Sequence, residues 1–161
     1  DEYLYIPVDD LNGLYSRCGS EANGKVLIIR SQKSYPQGTL HHAIDLSLMD
    51  YLSYDLYPAS LSEVEYILEV TYDYTNAGNY QQTMTMGDNS VVDYFAFLRM
   101  KGQVQLKEAQ TGKVIQKSQW IQGTGEVEAH FSELNYQCSN MPETGTEIIS
   151  AVEKVRQLNS N

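Results

Sequence analysis

The strongest constraint on the fold is an alternation running through residues 91–121. Tyr94, Ala96, Leu98, Met100, Gly102, Val104 and Leu106 fall on one side, and Arg99, Lys101, Gln103, Gln105 and Lys107 on the other. The segment therefore repeats every two residues, as a half-buried strand does. Ala109-Gln110-Thr111-Gly112 breaks the pattern, with Gly112 free to take a positive φ, and 113–121 returns rich in β-branched and polar residues. The whole reads as one long antiparallel hairpin. A hairpin with one apolar face is not stable alone in water, so other elements must cover it.

Two helices are expected to provide the cover. Leu40, Ile44, Leu48, Leu52 and Leu56 recur every four residues, with Ala43 and Tyr51 alongside, and predict a helix over 40–56 capped by Thr39 and ended by Pro58. Thr144-Gly145-Thr146-Glu147 has the spacing of a capping box, and Ile148, Ala151, Val152, Val155 and Leu158 follow as a second helical stripe. Lys25-Val26-Leu27-Ile28-Ile29-Arg30, introduced by Asn23-Gly24, is an apolar run suited to a central strand. Residues 65–74 alternate, with Tyr66, Leu68, Val70, Tyr72 and Tyr74 against Glu65, Glu69, Thr71 and Asp73. Residues 1–24 lack a period and read as an N-terminal arm containing the turn Asp9-Asp10-Leu11-Asn12-Gly13, and 25–161 as a single domain. Residues 76–90 read as a loop or an edge extension of the sheet, and Gly123-Thr124-Gly125 interrupts the returning strand, which 126–131 resume or leave. The expected fold is α+β: a mixed, mostly antiparallel sheet of about four strands with two helices on one face, in the order β-α-β-β-β-α. A crossover would place the first two strands parallel.

Composition narrows the function classes. The formal net charge is −10 and the pI near 4.6, so nucleic acid would be approached against the protein's own field, as would an anionic membrane. No stretch approaches the roughly 18 apolar residues of a membrane span. Asp1-Glu2-Tyr3 lacks the basic and apolar regions of a signal peptide, which leaves room for a mature form whose leader or lipid anchor lay upstream.

The inventory of reactive groups points away from catalysis. His41 and His42 near the start of the expected helix, with Asp45 one turn on, form a minimal two-ligand set, short of the three or four that zinc requires, and His130 lies far off in sequence. Carboxylates recur at Asp45, Asp50, Asp55, Glu63, Glu65, Glu69 and Asp73. Glu65 or Glu69 with His41 or His42 would make a small hydrolase, whereas a solvated strand face explains the same row. No nucleophile elbow is present, and Gly123-Thr124-Gly125 has neither the lysine nor the strand-to-helix context of a phosphate loop. No cofactor is expected.

Cys18 and Cys138 admit a disulfide closing a loop of about 120 residues, worth roughly 4 to 5 kcal/mol in the chain-entropy model, and with it an oxidising compartment. The alternative is two unrelated thiols. Tyrosine is the unusual feature, with thirteen copies. Tyr51, Tyr54 and Tyr57 would line one strip of the helix, and with Tyr72, Tyr74 and Tyr80 they form a candidate contact surface for a protein, a glycan or a lipid.

In element order, and in Lys25-Val-Leu-Ile-Ile-Arg30, Tyr66-Ile-Leu-Glu-Val70 and Val104-Gln-Leu-Lys-Glu-Ala-Gln-Thr-Gly-Lys-Val-Ile115, the chain resembles small α/β lipoproteins of Gram-negative envelopes. The types meant are the lipopolysaccharide-assembly lipoprotein LptE and the auxiliary lipoproteins of ABC-type lipid transporters. The resemblance implies a non-enzymatic accessory module, periplasmic or extracellular, tethered at the outer membrane or soluble, that docks on an envelope protein. An oligomer joined through an uncovered strand edge is a further expectation.

Overall fold

A computed structural model describes residues 5–21, 23–128 and 134–161. Its elements are β1 (Tyr5–Val8), α1 (Leu11–Ser16), β2 (Lys25–Lys33), β3 (Leu40–Asp45), β4 (Val64–Met86), β5 (Asn89–Glu108), β6 (Val114–Lys117), β7 (Ile121–Gln122), β8 (Tyr136–Cys138) and α2 (Gly145–Asn159). The class is α+β with a mixed open sheet and two α-helices, as expected. The sheet has eight strands rather than four, in the order β1-β3-β2-β4-β5-β6, with β7 and β8 also paired to β5.

The chain divides into two compact units. The first holds the residues up to Tyr72 together with Gln103–Gln119 and Thr144–Asn161; the second holds Asp73–Gly102 and Trp120–Glu143. Strands β4 and β5 contribute to both.

In the first unit, β2 lies between β3, antiparallel, and β4, parallel. A strand flanked in this way buries both its faces, which accounts for the unbroken run Val26-Leu27-Ile28-Ile29, all within the core. The expected parallel pairing is present, but the connection is not the helix predicted over 40–56. Leu40, His41, His42, Ala43, Ile44 and Asp45 form β3, followed by 3-10 turns at Leu48–Tyr51 and Leu61–Glu63. A spacing of four is also two β repeats, so Leu40 and Ile44 share a strand face as readily as a helix face. Two local devices favour the strand. Ser34 and Thr39 close a hairpin, with Gly38 at φ +71° inside it, and Asp45 Oδ1 accepts from the Ser47 and Leu48 amides, which ends the strand in an Asx turn.

The stretch read as an arm contains β1, which edges the sheet against β3, and α1, whose Leu14 joins the core together with nearby Cys18. At the other end, α2 buries Ile148, Ala151, Val152 and Val155 as its stripe predicts, but Thr144 makes no side-chain capping bond. The two helices lie on opposite faces of the sheet, not on one. Tyr15 of α1 faces the charges of Lys107 and Glu69, whereas Ser150 of α2 accepts from Gln116, whose strand partner is Leu106. Successive residues of β5 point to opposite faces.

In the second unit, residues 76–90 are not a loop. Strand β4 continues to Met86 and a two-residue turn, Gly87-Asp88, leads into β5. Strand β8 runs parallel to Ala96, Phe97 and Leu98, and β7 antiparallel to Lys101 and Gly102. Gly123 is required for close approach rather than for an unusual φ, since a Cβ there would sit 1.9 Å from the Asn140 carbonyl oxygen. Arg99 donates to the carbonyls of Gly123 and Gly125, so this glycine segment is a backbone anchor. Residues 126–128 carry no strand, and the rest of the stretch expected to resume it lies outside the described residues. Tyr94, expected on the buried side of β5, is 72% exposed, because the alternation gains cover only from Phe95 onward.

Candidate functional site

Three features of the structure bear on function: a buried polar chain, a recess beside it in the first unit, and an exposed ribbon in the second. The polar chain arises from register. Ser31 pairs with His42 across β2 and β3, and Glu69, diagonal to Ser31 on parallel β4, shares its face. Glu69 was expected on a solvated face, yet it is 6% exposed. Its Oε1 accepts from Lys107 Nζ at 2.5 Å and its Oε2 accepts from Ser31 Oγ at 2.6 Å. The carboxylate is thus an acceptor on both oxygens. The fully buried Ser31 spends its only proton on Glu69, so it must accept from His42 Nδ1, 2.6 Å away. Nδ1 of His42 thereby carries the hydrogen that points at Ser31.

This order of donors runs opposite to a nucleophile and its base, where the hydroxyl donates to the imidazole. The chain therefore orients His42 rather than activating Ser31. Burial alone would pull the Lys107 ammonium down, but its hydrogen bond and charge pairing with Glu69 outweigh that and hold it above its ordinary value. Burial pushes the Tyr15 phenol up while the neighbouring Lys107 ammonium pulls against it.

The recess has a volume of about 270 Å³ and is lined by Tyr5, Arg30, Gln32, His41, His42 and Ala43. The Arg30 guanidinium lies over the rings of Tyr72 and Tyr5, 4.7 and 5.5 Å from their centroids. Its Nε and Nη2 both donate to Gln32 Oε1, and Nη1 donates to the Tyr5 hydroxyl. Asp45 Oδ2 is buried without a hydrogen bond among the described residues, and Arg30 Nη1 stands 3.9 Å from it.

The ribbon comprises residues 73–98: the second-unit part of β4, the turn after it and the first half of β5. Tyr80, Met84 and Met86 share one face of β4 by alternation, and Val91 and Phe95 share one face of β5. Tyr80 stacks on Phe95 with centroids 5.8 Å apart, so the two sets lie on the same side of the ribbon. Met86 is 60% exposed, and Tyr80 and Val91 are exposed as well. Between residues 34 and 98 the chain has no lysine or arginine, and the ribbon carries Asp73, Asp88 and Asp93.

The residues singled out from sequence are dispersed. His41 and His42 sit on opposite faces of β3, so they do not form the ligand pair that a helix would have made, and no group of three metal-ligating side chains occurs among the described residues. His130 lies outside the described residues. Cys18, buried, and Cys138, exposed, are both free thiols, so the expected bridge is not formed here. Burial pushes both thiols up, which lowers their reactivity. Tyr51, Tyr54 and Tyr57 are exposed, but on 3-10 and irregular turns rather than as a helical strip. Tyr72 is buried under Arg30, Tyr74 is half-buried, and Tyr80 belongs to the ribbon. Sequence reasoning missed Arg30, Ser31 and Lys107, because their partners lie on different strands and no spacing marks them. No family model matches this chain, and no curated protein or solved structure matches it either.

Proposed function

We propose that this chain is a non-enzymatic binding module that engages a protein partner through the β4–β5 ribbon. The observation that carries this reading is the apolar side of the ribbon, where Tyr80, Met86 and Val91 remain exposed on a strand pair long enough to reach into a partner. An isolated two-stranded ribbon is marginal in water, and a receiving cleft removes that cost. The partner's chemistry follows from charge. A ribbon whose charged residues are Asp73, Asp88 and Asp93 favours a basic surface around an apolar cleft, and disfavours a second copy of a chain with net charge −10. The resemblance to envelope lipoproteins supports looking for that partner among envelope proteins.

The test places the photocrosslinker p-benzoylphenylalanine at position 86 of the full chain, with exposed Glu153 of α2 as the control position. A single crosslinked protein of net basic charge from position 86, absent from position 153 and lost on Val91→Lys, is the expected result. Crosslinking only to another copy, or equally from both positions, would overturn the reading.

A further inference from the structure

We infer that the Arg30 recess is a binding site for a small organic monocarboxylate. The argument starts from the donors of Arg30. A guanidinium has five N–H groups, and Arg30 uses one on Nε, one on Nη1 and one on Nη2. Nη1 and Nη2 each carry two N–H groups and give one to a hydrogen bond among the described residues, which leaves one on each nitrogen for a carboxylate to accept from. The group is also held in place, since Tyr72 and Tyr5 stack against it and Gln32 locks its other edge. Little side-chain entropy remains to be lost on binding.

The walls define the rest of the ligand. His41 is exposed at the recess, has no hydrogen bond among the described residues, and supplies a further donor; Tyr5 and Ala43 offer apolar surface for a carbon frame. The volume of about 270 Å³ falls just below the roughly 300–1,000 Å³ of drug-sized sites, so the ligand is small. Its charge is limited as well. Asp45 Oδ2, buried 3.9 Å from Arg30 Nη1, already offsets part of the guanidinium charge, so a monoanion is better matched than a phosphate dianion. This site lies in the first unit and is independent of the ribbon reading.

The probes are benzoate, its neutral counterpart benzamide, and inorganic phosphate, titrated into the full chain while the His41 and His42 imidazole resonances are followed by NMR, with calorimetry for affinity. Benzoate should shift the His41 signals saturably, benzamide should not, and phosphate should bind at least about tenfold more weakly. Arg30→Lys, which keeps the charge and loses the fork, should weaken benzoate about tenfold or more. Should that variant not fold, His41→Gln at an exposed ring serves instead, with a loss of about threefold. No saturable shift with benzoate on the folded chain, equal binding of benzamide or phosphate, or unchanged affinity in the folded Arg30→Lys variant or in His41→Gln would each overturn the assignment.

Discussion

Strand β4 passes through two environments without a break in its backbone pattern. Over residues 64–72 nearly every side chain is buried, on both faces, and over 75–86 most are exposed. The first part reads Val-Glu-Tyr-Ile-Leu-Glu-Val-Thr-Tyr and the second Thr-Asn-Ala-Gly-Asn-Tyr-Gln-Gln-Thr-Met-Thr-Met. Extended geometry in the first is maintained by neighbours on both sides, β2 and β5. In the second it rests on one partner strand and on threonine and tyrosine, residues that fit a pleated surface without requiring burial. A strand is therefore evidence of pairing, and burial has to be argued separately. The same distinction separates the polar residues of β4: Glu69 is enclosed and committed, while most of those over 75–86 are exposed.

The largest effect should come from breaking the enclosed polar chain. Glu69→Gln leaves the Lys107 ammonium half-buried without its counter-charge, and an unpaired buried charge costs about 3–5 kcal/mol. Equilibrium urea denaturation should show that loss. The double variant Glu69→Leu with Lys107→Met should recover most of it, since the pair is replaced by apolar volume. The pH dependence has a definite sign. Lys107 has a raised value in the folded chain, so the stability it contributes is complete below the ordinary lysine value and is lost as pH rises through the folded one. Wild type should therefore lose stability at alkaline pH more steeply than the double variant.

A direct comparison of the two environments needs apolar truncations of similar size. Leu68→Ala, at a fully buried position, should cost about 2–5 kcal/mol, whereas Met86→Ala at the ribbon end should stay within about 0.5 kcal/mol. Matched denaturation midpoints for the two variants would break the contrast. They would mean that the ribbon contributes to the core or that Leu68 can be vacated at little cost.

How much of this was legible in advance follows the same physics. Strands β2, β4 and β5, the turn at Gly112 and helix α2 were readable because each burial pattern matches its own period. Strand β3 was not, because Leu40 and Ile44 satisfy both periods, and the hairpin at Ser34 and Thr39 and the Asx turn at Asp45 decided between them. Helix α1 is too short to show a stripe; its place comes from burying Leu14, a tertiary effect. Glu69 alternates like a solvated carboxylate, and only Ser31 and Lys107, brought in from other strands, reveal it as buried. The Arg30 recess shares this opacity, since Tyr5, Arg30, Tyr72 and His41 meet only through strand order.

The smallest effect provides the control for burial, because the first unit also holds an ion pair in the open. Arg156 donates to Asp55 Oδ2 at 3.0 Å, and both side chains are largely exposed. The Arg156 hydrogen bonds, then the Ser53 hydroxyl, hold the Asp55 carboxyl down at about 2. A depressed folded value means that the pair stabilises the fold above the ordinary aspartate range and ceases to do so as pH falls through the folded one. The relevant window runs from about pH 4 to about pH 2. Asp55→Asn should melt slightly below wild type at pH 6, and the gap should close as the pH is lowered through that window. Salt at about 1 M should shrink the gap at pH 6, since exposed charges are screened, and should leave the loss caused by Glu69→Gln largely in place. If salt erased both losses equally, the enclosure of Glu69 would not be what distinguishes it, and the contrast between buried and exposed positions would have to rest on apolar packing alone.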